Sequence, residues 1–404
     1  MRNTKNILVL TYWDFNDALI QTYTLPYVQM MADCISDDSR IYVLTLNKKN
    51  TSHNFFHPKI NVLSFRYIPF GMLAIFYYAW MMMYLWMFIF RKKITHIHAW
   101  CTPAGVFGYI LSILTRRPLI IDSYEPHAEA MVEVGEWKKT SLSFRILFYF
   151  EKKMTQHALH LIATTESMIK EYATSRYGFD ASKIYPDRSV GNNWFVKPAG
   201  VNLEIFKRDE AQRESLRQQF GIDNKIVGIY AGKFGGIYLE QEFFEWLSVA
   251  HHYWKEKFVL ILLSSHTKEY IFENCRKYNI PQDIILHFFV PHKEVAKYLN
   301  VADFAITPVK PVYTKKFCSP VKDGEYWAMG LPVLITKDIS DDSDIIEKNN
   351  IGYVLKRLDK DEYLQSVKVM EECVRKQLYP NIIQIAHKYR DIRQFKYIYQ
   401  AIYS

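Results

Sequence analysis

The sequence predicts an α/β protein of two doubly wound domains, and three observations carry that reading. The chain has 404 residues, too many for one typical domain and enough for two of roughly 200 each. Short apolar runs of strand length alternate with segments of helical pattern, the signature of parallel sheets crossed by helices. No internal repeat or low-complexity tract points to another architecture.

The first half opens on a buried strand, Ile7–Thr11, a loop from Tyr12 to Ala18 and a helix from Leu19 to Ala32. Open α/β sheets bind ligands at the carboxyl ends of their strands, so this loop is a candidate site wall. Asp14 and Asp17 either read ligand hydroxyls or cap the next helix. The loop has no GxGxxG, which argues against a NAD-dependent oxidoreductase. Ile41–Leu46 and Ile60–Phe65 read as the next strands, with a polar, turn-like stretch between them. Met72 to Phe90 is 19 residues without a charge, followed by Arg91-Lys92-Lys93. A span needs ~20 apolar residues, but a single crossing would separate two strands that belong to one sheet. The segment is therefore a helix packed in the core or lying on a membrane surface, where Trp80, Trp86 and the basic cluster suit an interface. Thr95–Ala99 is a strand carrying His96 and His98, and one such pair without a third ligand is weak evidence of a metal. Leu119–Asp122 leads into a loop with Glu125, His127 and Glu129, which lines a site or merely caps and packs. Leu142–Ala158 reads as helix and Leu159–Thr164 as strand, and Thr165-Glu166-Ser167 opens the following helix.

The second half repeats the alternation. Ile226–Ala231 ends in Gly232-Lys233-Phe234-Gly235-Gly236. Glycine lets a backbone approach a ligand, and a lysine at a strand end neutralises phosphate or is simply a solvated turn residue. Phe258–Leu263 and Ile284–Val290 are strands, the latter ending at Pro291-His292, and Glu294–Asn300 is a short helix. The loop from Val309 to Phe317 carries Lys310, Tyr313, Lys315 and Lys316, which close over an anion or are solvated. Cys318 to Thr336 then reads as loop, helix, turn and strand. Ser319 is an N-cap, Pro320 suits the first helical position and Gly330 suits C′. Lys322 adds a cation in the first turn, and Glu325 follows on the same face. Helix amides with a cation suit a phosphate, and a carboxylate one turn on suits sugar hydroxyls. The plain alternative is a capped helix in which Glu325 pairs with Lys322. The acidic run Asp338 to Asp344 reads as capping of a helix at Ile345–Lys348, and Ile382 to Ile402 reads as a final helix.

Net charge is +9 with pI near 9.0, and 16% of residues are aromatic. The charge favours anionic partners such as nucleotide sugars or an anionic lipid surface; no nucleic-acid motif is present. The five cysteines are scattered, odd in number and without CxxC spacing, which suits a reducing compartment. The run Ile7-Leu8-Val9-Leu10 is too short for a signal peptide, and the expected location is cytoplasmic.

The stretch Ser319 to Val333 resembles the donor-binding motif of family four glycosyltransferases, retaining, nucleotide-sugar-dependent enzymes of GT-B fold. The family pattern Ser-Pro-x-Lys-x-x-Glu-Tyr-x-Ala-x-Gly-x-Pro-Val is filled at every fixed position. One departure is Phe317, which stands where the two-glutamate form of the motif has its first glutamate. Trp194 to Phe206 resembles the family's interdomain link, with Ala199 and Asn202 replacing an asparagine and an aspartate. The resemblance implies two Rossmann-like domains with a cleft between them: residues 1–198 for the acceptor, 199–384 for the donor, and 385–404 as a helix crossing back.

The same resemblance implies roles. Glu325 holds the ribose hydroxyls, and Gly232, Lys233 and Lys322 meet the diphosphate with the helix start at Ser319, Pro320 and Val321. Val290 and His292 face the base through backbone groups, and His127 faces the reacting sugar. His127, Lys233 and Glu325 are the expected catalytic group. Tyr12, Asp14, Asp17 and Glu125, with His127, are the expected acceptor contacts. No metal and no cofactor beyond the nucleotide-sugar substrate is implied. The expected activity is hexosyl transfer from a UDP- or GDP-sugar to a glycan or lipid-linked acceptor of the cell envelope, at the cytoplasmic face of a membrane touched by 72–93. A GT-B epimerase acting on the donor alone and a non-catalytic membrane-surface relative are the alternatives.

Overall fold

The computed structural model describes residues 4–17, 19–48, 55–69, 71–181 and 193–403. The chain divides into two compact units, Met1–Pro198 with Gln394–Ser404, and Ala199–Arg393. Among the described residues, the first holds a seven-stranded parallel sheet. Its strands are β1 (Ile7–Leu10), β2 (Ile41–Asn47), β3 (Ile60–Arg66), β4 (His96–Trp100), β5 (Leu119–Tyr124), β6 (His160–Ala163) and β7 (Trp194–Val196). The order across the sheet is β3-β2-β1-β4-β5-β6-β7. The helices are α1 (Leu25–Cys34), α2 (Met72–Arg91), α3 (Thr102–Thr115), α4 (His127–Glu133), α5 (Leu142–His157) and α6 (Thr174–Tyr177).

The second unit holds a six-stranded parallel sheet of β8 (Ile226–Ala231), β9 (Phe258–Leu263), β10 (Ile285–Phe288), β11 (Phe304–Thr307), β12 (Val333–Thr336) and β13 (Gly352–Leu355), ordered β10-β9-β8-β11-β12-β13. Its helices include α7 (Glu210–Phe220), α8 (Gln241–Trp254), α9 (Lys268–Lys277), α10 (His292–Leu299), α11 (Val321–Ala328), α12 (Asp342–Asn349), α13 (Lys360–Arg375) and α14 (Tyr379–Tyr389). The last helix, α15 (Lys396–Tyr403), belongs to the first unit.

The first sheet runs 3-2-1-4-5-6-7 and the second 3-2-1-4-5-6, the doubly wound order in which the chain reverses direction between the first and fourth strands. The reversal leaves a crevice at the carboxyl ends of β1 and β4 in one unit, and of β8 and β11 in the other. Central strands such as β1 and β9 are buried along their whole length, as parallel strands covered on both faces must be. The edge strand β3 instead alternates in exposure.

Three expected elements differ. Leu19 to Ala32 is not one α-helix: a π-helical turn, Leu19–Thr24, precedes α1, and Pro26 lies in the first turn of α1, where its missing N–H costs nothing. Similarly, a π-helical turn, Met168–Ala173, opens the segment after β6. The final helix is interrupted at Arg390–Asp391. Val201 N–H donates to the Arg390 carbonyl at 2.7 Å and Ile392 N–H to the Val201 carbonyl at 3.1 Å. This strand-like pairing holds 385–393 in the second unit, so only 394–404 belongs to the first. There α15 packs on α1, and the Tyr399 hydroxyl donates to Asp122 Oδ2 at 2.7 Å.

Candidate active site

The second unit gathers its candidate residues at the carboxyl ends of β8 and β11. β8 ends at Ala231, and Gly232-Lys233 turn out of it. A Cβ at Gly232 would lie 2.7 Å from the Lys322 ammonium and 2.6 Å from the Tyr230 hydroxyl. Glycine there lets the lysine of α11 lie against the strand end. Lys322 Nζ sits 4.3 Å above the Tyr238 ring and 5.1 Å from that of Tyr230, so two aromatic faces hold the cation in place. Lys233 is exposed beside it, and its carbonyl accepts from the Tyr230 hydroxyl at 2.5 Å. His266 accepts the Phe234 N–H at Nε2, 2.9 Å away, and stacks on Tyr270. It fixes the backbone that follows Lys233.

α11 begins at Val321 with Pro320 at the N-cap, so the expected Ser319 cap is not formed. Ser319 Oγ instead accepts from Ala199 N–H at 3.0 Å and from Arg390 Nη1 at 2.5 Å. Proline has no cap side chain, and the first-turn amides of α11 have no acceptor within the helix. At the other end, Gly330 takes φ +72°. Its N–H donates to the Trp327 carbonyl and that of Leu331 to the Tyr326 carbonyl, both at 2.9 Å, a Schellman closure. The Tyr326 hydroxyl accepts Ala231 N–H at 3.1 Å, tying α11 to the end of β8.

Glu325 is 6% exposed and takes His292 rather than Lys322 as its partner, with Oε1 2.8 Å from Nε2. His292 is the first residue of α10, at the position expected only to close the preceding strand. Its side chain orients the glutamate, a role that backbone contact with a base did not foresee. Val290 packs partly against the unit's core. The hydrogen bond that the imidazolium donates to Glu325 raises the His292 pKa above its ordinary 6.5, and burial opposes it. With a raised folded value, the pair stabilises the fold fully below pH 6.5 and loses that contribution as pH rises through the raised value. Glu325→Gln should bring His292 back toward 6.5 in an NMR titration of its ring. An unchanged titration would show that the contact does not form in solution.

Beneath α11 lies a buried polar layer. Asp323 accepts from the Thr307 hydroxyl, and Asp342 pairs with Arg390, whose guanidinium is 5.4 Å from the Trp327 ring. Burial, then the neighbouring Asp342 carboxylate, push the Asp323 carboxyl well above its usual range. Asp342 lies inside the acidic run read as simple capping; its carboxylate serves Arg390 instead. Lys315, expected to close over an anion or be solvated, is buried with Nζ 3.6 Å from Cys318 Sγ. Phe317 is fully buried, so the position of the family's first glutamate faces the core.

In the first unit, Asp14 Oδ1 accepts Asn16 N–H and Oδ2 accepts Lys48 N–H, each at 3.0 Å, pinning the β1 loop to the end of β2. Asp17 Oδ1 accepts Leu19 N–H at 2.9 Å, opening the π-helical turn. Of the two readings offered for these carboxylates, both make the loop and capping contacts. Tyr12 is half-buried, edge-on to Tyr67. Glu125 and His127 lie at the carboxyl end of β5; the Glu125 carbonyl accepts from Thr102 Oγ1 at 2.7 Å, and His127 begins α4. Glu151, a buried carboxyl of α5, accepts Ala128 N–H at 2.9 Å and the Tyr177 hydroxyl at 2.7 Å. It secures the start of α4, and burial pushes its pKa up to about 8. Of the two strand histidines, His98 is buried and spent on Asp122 Oδ2 and the Tyr403 hydroxyl.

No protein-family model matches the chain, and no curated protein sequence matches it significantly. Solved structures do match over nearly its whole length. Sucrose-phosphate synthase from Thermosynechococcus elongatus has a TM-score of 0.74 at 14% identity, covering 99% of this chain and 98% of its own. WaaG, a glycosyltransferase involved in lipopolysaccharide biosynthesis, has a TM-score of 0.72 at 14% identity, covering 98% and 99%. Anabaena HepE in complex with UDP has a TM-score of 0.71 at 13% identity, covering 98% of each chain. The fold is GT-B, with two Rossmann-like domains.

Proposed function

We propose that the protein is a retaining glycosyltransferase that moves a hexosyl group from a UDP- or GDP-sugar to a glycan or lipid-linked acceptor of the cell envelope. The observation that carries this reading is the arrangement at β8 and α11: Lys322 lies against Gly232, and His292 holds Glu325 one turn further along. In the reaction the bond from the anomeric carbon to the diphosphate breaks, and its electron pair stays on the diphosphate. The acceptor oxygen bonds the same carbon, and its proton leaves with the diphosphate. Lys322, Lys233 and the first-turn amides of α11 stabilise the charge that grows on the leaving group. Glu325 accepts from the ribose hydroxyls. HepE, solved with UDP, and WaaG, described as a glycosyltransferase, support the donor class and the activity by likeness of fold.

Acceptor recognition is assigned to the first unit, to Tyr12, Asp14, Asp17, Glu125 and His127. The cytoplasm is the assigned compartment, a reading that rests on five cysteines scattered without CxxC spacing in the sequence. Calorimetric titration with UDP-, GDP-, ADP- and CMP-sugars tests the donor class. One nucleotide series should bind, and turnover should require an added acceptor. Binding by none of the four would remove the transferase reading, and conversion of donor alone to an isomer would replace it with an epimerase.

A further inference from the structure

We infer that the helical face formed by α2, α3 and α5 is a docking surface for an anionic lipid bilayer. The evidence begins with α2. Its inner stripe, Ala74, Met81, Leu85 and Ile89, is at most 1% exposed and recurs at helical spacing against the sheet. A surface helix would carry polar residues on the opposite side. Here Leu73 is 81% exposed, Phe76 71%, Ile75 67%, Met83 55%, Trp80 50% and Phe90 49%. Soluble monomers rarely expose apolar patches larger than a few hundred Å², and larger ones mark interaction sites.

The patch extends across its neighbours. α3 packs between α2 and α5 and presents exposed Ile113 and Leu114, while α5 presents Leu142 and Tyr149. α2 is long and apolar enough to cross a membrane, yet β3 and β4 on either side of it belong to one sheet. The helix therefore lies on a surface. Its Trp80, Tyr84 and Trp86 are the residue types that sit at the headgroup boundary.

Charge identifies the occupant. Residues 39–121 contain no Asp or Glu and ten Lys or Arg, so this stretch alone carries +10 of a chain whose net charge is +9. Five of those ten are Arg91, Lys92, Lys93, Arg116 and Arg117, at the C-terminal ends of α2 and α3 and mostly exposed. A second copy of the chain docked on this face would set one acid-free segment against another. An anionic bilayer neutralises the basic rim while its acyl region takes the apolar side chains. The inference deepens the transferase reading by naming where a lipid-linked acceptor is met, and rests on that reading for this consequence only.

Vesicle flotation tests it. The 404-residue chain should float with phosphatidylcholine vesicles containing phosphatidylglycerol, and at least tenfold less with phosphatidylcholine alone or in high salt. Reversing Arg91, Lys92 and Lys93 to Glu, or separately Leu73→Ser with Phe76→Ser, should each reduce flotation at least tenfold. Each basic residue near an anionic leaflet contributes about 1 kcal/mol, and about 1.4 kcal/mol is tenfold. Nucleotide-sugar binding should be unchanged in both variants, which separates this result from the fate of the transferase reading. Failure of the folded chain to float with anionic vesicles would overturn the inference. So would sedimentation as a dimer that only the patch variants dissociate.

Discussion

Lys197→Met should destabilise the first unit by about 3–5 kcal/mol, the cost of leaving a buried charge without its partner. Lys197 and Asp122 are both fully buried, with Nζ 2.8 Å from Oδ1. The ammonium lies 3.6 Å from the Tyr27 ring centre and 4.3 Å from that of Trp100, so an aromatic box replaces part of its hydration. Asp122 also accepts Ser123 N–H at 2.6 Å and the Tyr399 hydroxyl at 2.7 Å, and lies 3.2 Å from His98 Nε2. Removing the lysine charge strands that carboxylate among groups that cannot move to water. Burial alone would raise the Asp122 pKa, but Lys197 and His98 overcome it and hold it at about 2, against 3.8 ordinarily. The depressed folded value means that Asp122 contributes fully above pH 3.8, and that the contribution disappears as pH falls through about 2. Burial lowers Lys197 to about 8, which keeps it protonated at pH 7. Urea unfolding at pH 7 of wild type, Lys197→Met, Asp122→Asn and the double variant measures the coupling. The double variant should lose less than the sum of the single losses. Strict additivity would mean that the pair is not energetically joined.

The second large effect is on ligand binding. Glu325→Ala should weaken nucleotide-sugar affinity ten- to a hundredfold, because hydrogen bonds to a charged group are worth about 1.5–3 kcal/mol. The carboxylate is buried and set by His292, so little ordering remains for the ligand to impose. Glu325→Gln keeps the shape and one acceptor and should fall between the two. Calorimetry on folded samples, with circular dichroism as the check on structure, reads the difference. Wild-type affinity in Glu325→Ala would remove the ribose assignment and leave Glu325 as a partner of His292 alone.

The legible part of this protein was local. Most strands announced themselves as apolar runs, because central parallel strands are buried on both faces and have no polar side to show; β7, read as part of a link, and β13 did not. Lys322, Glu325, Gly330 and the glycine turn after β8 were legible because each acts within one or two turns of its own backbone. What stayed hidden depends on residues far apart in the chain. Arg390 falls inside the stretch expected to be one final helix, yet it is 1% exposed, and its partners Asp342 and Ser319 lie 48 and 71 residues away. Lys197 looked like one residue of a linker, and only the sheet brings it to Asp122. His292 became the partner of Glu325 because α10 starts there, two positions before the helix expected from Glu294. The sequence by itself determined the two doubly wound sheets, their crevices and the placing of Lys322 and Glu325 one turn apart on one helix. Tertiary structure decided which of those groups are held and by what, because the partner of a buried charge is chosen by packing across the sheet and not by spacing along the chain.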